Sequence, residues 1–339
     1  MIYLGYNRDL DSAAHFWRDR LHDYLFDKRE GQQRPYLKTG KNHKYYDIVF
    51  AKWKGYVRRE AQYRRISNDI RDELLNKLDE FECNFDDIVL APKDELEKKT
   101  KEGYRNEETK NILSDIFEKL YNGFTKIIAN EVLERLKIRT CPYCNRNYTF
   151  TVKSSCSTEV RAFTTRPEFD HFYNKSQHPL LALSFYNLVP SCSICNHGKA
   201  TENIGINPYF EGFQSKFGIC NKKDMTLLNI NEIKLVKSEA DFSIGFIKPS
   251  TSEQQNIEGL GLDVLYNKHK DYVMDLIEKS TSYGTLEQNQ AFVDSFQGIF
   301  HTPQEVFEFI WGKYLNEEAL ENRPLSKLTR DILEQLDIT

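Results

Sequence analysis

Four cysteines in two equal spacings carry the clearest chemistry in the chain. Cys141 and Cys144 lie in "CPYCNRNYT", Cys192 and Cys195 in "CSICNHGK", and 47 residues separate the inner two. Zinc takes soft ligands in a tetrahedron, and two C-x2-C knuckles can meet across an intervening fold. A redox dithiol is the alternative for a single such pair, but it needs a strand-to-helix context, and two pairs suit a metal better. The spacing therefore predicts a structural Zn²⁺ on Cys141, Cys144, Cys192 and Cys195, which by itself says nothing of activity. Cys83, Cys156 and Cys220 stand alone and read as small buried hydrophobes.

The residues between and just beyond the pairs add a second set of chemical groups. Asp170 and His171 are adjacent at the end of the extended stretch "EFDHFY". Neighbouring strand side chains point to opposite faces, so only a bend at the strand end could turn both towards one cleft. An isolated Asp-His is ordinarily a surface pair. Here it is followed by Asn187 in "NLVPSC", by Asn196 directly after the last cysteine, and by Lys199. His178, in "SQHP", reads as a loop histidine, and His197 lies about 100° round a helix from Asn196, away from any site that Asn196 faces.

The order C-x2-C, D-H, N-L, C-x2-C-N, K over residues 141 to 208 resembles the zinc-knuckle branch of the HNH endonucleases. That resemblance implies a ββα-metal core with Asp170-His171 ending one strand, "NLVPS" as the second, and a helix carrying Asn196. It implies His171 as general base for the attacking water, a role suited to a group that titrates near neutrality. It gives Asp170 and Asn196 as oxygen ligands to a catalytic Mg²⁺ or Mn²⁺, an ion that prefers such donors and acts as Lewis acid and template. Asn187 would orient the histidine loop through hydrogen bonds, and Lys199 would neutralise phosphate or sit on the helix surface. The third letter of the motif is Asn196, a residue that occurs there in the family. The wider pattern, "CPYCNRNYT" with "FDHFY" and "INPY", is most similar to HNH proteins of bacterial anti-phage loci such as Septu, whose nuclease subunit works with an ATPase partner. DNA is then the expected substrate. An RNA-directed nuclease, a homing or restriction enzyme, and a catalytically silent zinc-stabilised binding module are the alternatives.

These groups need elements to position them. Hydrophobic residues make up 40% of the chain and charged ones 29%, which suits a globular protein rather than a disordered one. The pattern reads as α+β: helical flanks around a small cysteine-bounded core. Residues 1–130 form a helical region that includes a basic, aromatic segment at 28–65, residues 131–215 the HNH domain, and residues 216–339 short strands followed by helices. "NDIRDELLNKLDEFEC" predicts a helix starting after Asn68, "PKDELEKKTKEGYRNEETKN" an exposed mobile spacer, and "ILSDIFEKLYNGFTKIIANEVLERLKI" one or two helices broken near Gly123. "YTFTVKSS" and "EVRAFTT" alternate like a hairpin, and "IKLVKS" and "FSIGFIKP" are strand-capable. "HTPQEVFEFIWGKYL" carries Thr302 as cap, Pro303 at the first helical position and Glu305 in capping-box register.

Charge bears on partners. The net charge of −4 argues against a protein that coats DNA by electrostatics alone. Residues 131–215 hold nine Lys or Arg against seven acids, so a thiolate-zinc core there is close to neutral and would bind a duplex weakly. The grip must come from the 28–65 segment, with twelve Lys or Arg against three acids among aromatic residues, or from a partner. No P-loop motif is present, so the chain is not itself a P-loop ATPase. The helical ends could form a homo-oligomer or dock an ATPase. The start of the sequence is not a secretory signal and no apolar run would span a bilayer, so the expectation is a cytoplasmic protein with no membrane partner.

Overall fold

The computed structural model describes residues 1–27, 49–63, 65–153, 164–199, 202, 204–283, 286–296 and 298–338. The chain forms two compact units, each assembled from separated stretches. A helical unit comprises Asp9–Leu136 with Asp170–Val189, and a knuckle unit comprises Met1–Arg8, Lys137–Phe169 and Pro190–Thr339. The architecture is α+β and mainly helical, with small two-stranded sheets and a buried group of four cysteines. No helix among the described residues is long and apolar enough to cross a membrane.

The helical unit contains α1 (Leu10–Phe26), α2 (Val49–Gln62), α3 (Asn68–Cys83), α4 (Phe85–Val89), α5 (Lys93–Thr100) and α6 (Glu107–Leu136). In α3 the apolar stripe buries Leu74, Leu78 and Phe81 as helical spacing requires. Its cap is Ser67, whose hydroxyl accepts from the Ile70 N–H at 3.3 Å, one residue earlier than the expected Asn68. Cys83, at the end of α3, is exposed rather than buried. The expected break at Gly123 does not occur, and α6 runs through it. Glycine is there for space, because a Cβ would lie 2.5 Å from the Tyr24 hydroxyl.

The charged stretch after α4 is also not a loose spacer. It forms α5, buries Leu96, and pairs Lys99 with Glu80 at 2.5 Å and with Glu102 at 2.9 Å. Glu73, buried on α3, accepts from the Arg105 N–H at 2.6 Å and the Thr109 hydroxyl at 2.8 Å. One acid thus closes the approach to α6. At the centre of the unit the Trp17 ring meets Phe124 edge-on at 4.8 Å, and its indole N–H donates to the Leu183 carbonyl at 2.9 Å. The returning segment 170–189 is therefore held by the helices: Ser184 also donates to the Ile88 carbonyl at 2.6 Å.

From α6 the chain enters β1 (Val152–Lys153) and β2 (Thr164–Thr165), an antiparallel pair in the register Val152 to Thr165. Next come β3 (Glu168–His171) and β4 (Leu188–Ser191), which pair with each other, and α7 (Ser193–Lys199). The chain crosses between units inside β3 and again inside β4. In the knuckle unit β5 (Lys216–Asn221) and β6 (Phe242–Ile247) are antiparallel, with Ile219 opposite Ile244. Between them "IKLVKS" is not a strand. Asn229 and Glu232 form a capping box that starts the short α8 (Ile230–Ile233), and Leu235 is 74% exposed.

Helices α9 (Thr251–Gly259), α10 (Leu262–Tyr266), α11 (Lys270–Tyr283), α12 (Leu286–Ser295), α13 (Pro303–Trp311) and α14 (Ser326–Gln335) complete the unit. Thr302 caps α13 as expected, and Gly312 ends it with φ +64°; the Glu305 carboxylate accepts from the His301 N–H rather than from the cap. Helix α14 seals β5 through a buried ion pair. Lys327 donates to Asp331 at 2.7 Å and to the Ser215 carbonyl at 3.0 Å, while Asp331 accepts from the Phe217 N–H at 3.0 Å.

Candidate metal centre and the His171 loop

Cys141, Cys144, Cys192 and Cys195 converge in the knuckle unit, all buried, with ligand atoms within 4.8 Å of one another. The first pair sits in a tight turn closed by a bridge between Thr140 and Tyr148. Asn145 adopts φ +48° there, a conformation that asparagine tolerates better than most residues. Its side chain donates to Thr140 Oγ1 at 3.0 Å and the Leu320 carbonyl at 3.1 Å, and accepts from the Lys327 N–H. The second pair flanks the first turn of α7.

The sulfurs fit a tetrahedral metal. Cys144 and Cys192 Sγ are 3.9 Å apart, far from a disulfide and close to the ~3.8 Å edge of a tetrahedron with zinc–sulfur bonds near 2.3 Å. The Arg146 N–H reaches Cys144 Sγ at 3.4 Å and the Asn147 amide reaches Cys192 Sγ at 3.3 Å, donors suited to negative sulfur. Hydrogen bonds from Cys141, then Cys144 and Cys195, drive the Cys192 thiol well below its ordinary value. Burial first, then its neighbours, drives Cys141 up. Four sulfurs packed this closely cannot all ionise without a cation, and a bound dication reverses that balance. This set can hold a metal such as zinc.

In the helical unit the segment 170–189 fixes a histidine. Asp170 is buried. The His171 Nε2 lies 3.1 Å from the Ala182 carbonyl, and its ring meets Tyr121 at 4.6 Å and 63°. Asn187 is fully buried, with its Oδ1 accepting from the Tyr173 N–H at 2.7 Å. Its amide donates to the Leu181 carbonyl at 2.9 Å and the Tyr173 carbonyl at 3.1 Å. Asn187 thus ties the chain at Tyr173 to the chain at Leu181, on both sides of the loop. His178 is a half-buried loop residue facing Tyr173, and burial, then Lys110, lowers its pKa.

In the knuckle unit α7 presents Asn196. Its amide nitrogen donates to Glu168 Oε2 at 2.6 Å, which turns Oδ1 to the opposite side of the amide group. His197 is exposed and 3.5 Å from the same carboxylate. Lys199 is buried, 1% exposed, rather than on the helix surface. Asp170, His171 and Asn187 belong to the helical unit, and the four cysteines, Asn196 and Lys199 to the knuckle unit. Three partners escaped the sequence reading. Glu168 carried a signal, an acid two residues before Asp170 and so on the same strand face, and Asn147, three residues after Cys144, carried a weaker one. The Ala182 carbonyl carried none.

Most of the basic 28–65 segment, including Tyr36, Tyr45 and Tyr46, lies outside the described residues, as does Cys156. Of its described part, α2 buries Phe50 and Val57 and exposes Lys52, Arg58, Arg59 and Tyr56. Lys54 is engaged by Asp79 and Glu82, and Arg65 by Glu60. Comparison of the chain with protein-family models, with curated proteins and with solved structures gives no significant match.

Proposed function

We propose that the protein is a metal-dependent endonuclease of the HNH type that hydrolyses DNA phosphodiester bonds with His171 as general base. The observation that carries this reading is the bond between His171 Nε2 and the Ala182 carbonyl. A carbonyl only accepts, so the neutral ring keeps its proton on Nε2 and its lone pair on Nδ1, the form that takes a proton from water. Asn187 supports the reading by fixing the loop in which that ring sits. The ligand roles of Asp170 and Asn196 rest on the sequence resemblance, and their carboxylate and amide oxygens are the donors that Mg²⁺ or Mn²⁺ prefers. When bound, such an ion supplies Lewis acidity at the phosphate. The zinc assigned to the four cysteines is structural. Action as an anti-phage effector with an ATPase partner belongs to the same proposal and to the same resemblance.

The test is plasmid cleavage in Mg²⁺ or Mn²⁺ by wild type beside His171→Ala, with and without the ATPase product of a neighbouring gene. Loss of the base should slow cleavage by about a hundredfold or more, with zinc content unchanged. A variant that cuts at the wild-type rate removes His171 as the base. Wild-type silence on DNA and RNA under all conditions removes the nuclease reading.

A further inference from the structure

We propose that a cleft beside the second knuckle binds an unstacked nucleobase of a single strand. The proposal rests on the nucleic-acid reading above and narrows it to substrates with unpaired bases. The cleft lies wholly within the knuckle unit and has a volume of about 490 Å³, in the range of sites that take molecules of nucleotide size. It is built from residues 147–150 after the first knuckle, 165–168 leading into β3, and 191–194 opening α7.

Three observations favour a base as the occupant. Tyr148 and Phe150 stack, with centroids 4.7 Å apart and planes at 19°, yet they are 53% and 48% exposed. Single apolar residues scattered on a surface are ordinary; a stacked ring pair at a cleft, beside the exposed Ile194, leaves an outer ring face on which a base can extend the stack. Next, Thr149 Oγ1 and Ser191 Oγ are buried with no hydrogen-bond partner among the described residues, and both residues line the cleft. An unpaired buried hydroxyl calls for an explanation, and a group that both donates and accepts suits the mixed edge of a base. Finally, the charged side chains lining the cleft are one cation, Arg166, and one anion, Glu168. A site for the phosphate chain would carry excess positive charge. The base is therefore the recognised part, and bases stand clear of their neighbours in single strands, not in a duplex.

The measurement is fluorescence anisotropy with the full chain, zinc-loaded and without Mg²⁺ or Mn²⁺. The probes are labelled oligo-dT and oligo-rU of about twelve nucleotides, within the span of single-strand sites, a duplex of the same length, and thymidine monophosphate as competitor. Both single strands should bind at least about tenfold more tightly than the duplex, and Tyr148→Ala with Phe150→Ala should weaken them about tenfold or more. The exchange Tyr148→Phe with Phe150→Tyr keeps both rings and should retain binding, and zinc content reports folding in each variant. Equal affinity for single strand and duplex overturns the proposal, as does unchanged binding without the rings. Competition by the mononucleotide at oligomer concentrations overturns the strand and leaves a small-molecule pocket. A wild type that binds strands through these rings but never cleaves removes the nuclease reading alone. One that cleaves, and whose strand binding ignores the rings, removes the cleft alone.

Discussion

Glu321 shows what a single residue can cost the fold. Its Oε2 is buried with no hydrogen-bond partner among the described residues, and burial pushes its pKa up from 4.5 to about 7, with Arg139 only partly opposing. For an acid raised on folding, the unfolded chain gives up its proton first. Stability is then highest below about pH 4.5, falls as pH rises, and levels off above about 7. The loss across that interval is at most about 3 kcal/mol. Glu321→Gln should therefore raise Tm at pH 8 and leave it nearly unchanged at pH 4. Equal shifts at both pH values in calorimetry would show that ionisation is not the cause. In the sequence this glutamate looks like any acid at a helix end. By contrast the grouping of the four cysteines was legible, because their type and spacing allow few uses. The carbonyl that holds His171 was not, since a backbone group leaves no mark on the residue type that bears it.

At the scale of elements, apolar periodicity located α3 and the capping chemistry located α13, but periodicity could not tell where a charged stretch becomes structured. Residues 92–111 look solvated because their partners lie on α3, far back in the chain. Glu73 makes the strongest link. Burial opposes its ionisation, but the hydrogen bonds from the Arg105 N–H, Thr109 and Asn106 outweigh that and hold its carboxyl below the usual range. Its contribution is therefore present above the ordinary carboxylate value near 4.5 and lost as pH falls through the depressed one. Glu73→Ala leaves the Thr109 hydroxyl and the Arg105 N–H without their acceptor and should destabilise the helical unit by about 1–3 kcal/mol. Urea denaturation followed by circular dichroism at pH 7 measures it. A midpoint within error of wild type would mean that the packing of α3 and α6 needs no help from this acid. Gly123 gives the same lesson in reverse: a residue that reads as a helix breaker is explained by a hydroxyl on α1.

For the whole molecule the informative feature is that neither unit is a continuous stretch of chain. Sequence division by composition cannot find units interleaved in this way, because composition changes along the chain while compactness is a property of space. The cysteine cluster joins residues 141–144 to 192–195 within the knuckle unit alone. With zinc on the cluster as proposed, a chelator under thiol-modifying conditions should unfold that unit and leave much of the ellipticity of α1 to α6, melting as a separate transition. Loss of all helical signal in one cooperative step would show that the helical unit depends on the cluster. Interleaving also sets an order of events on the ribosome. Cys141 and Cys144 emerge about fifty residues before Cys192 and Cys195, which at typical synthesis rates is roughly 3–10 seconds. Helix α14, which seals β5, is later still. For that interval the nascent chain displays two thiols of the cluster without the other two, so a metal that needs all four sulfurs can be held only once the second pair has emerged.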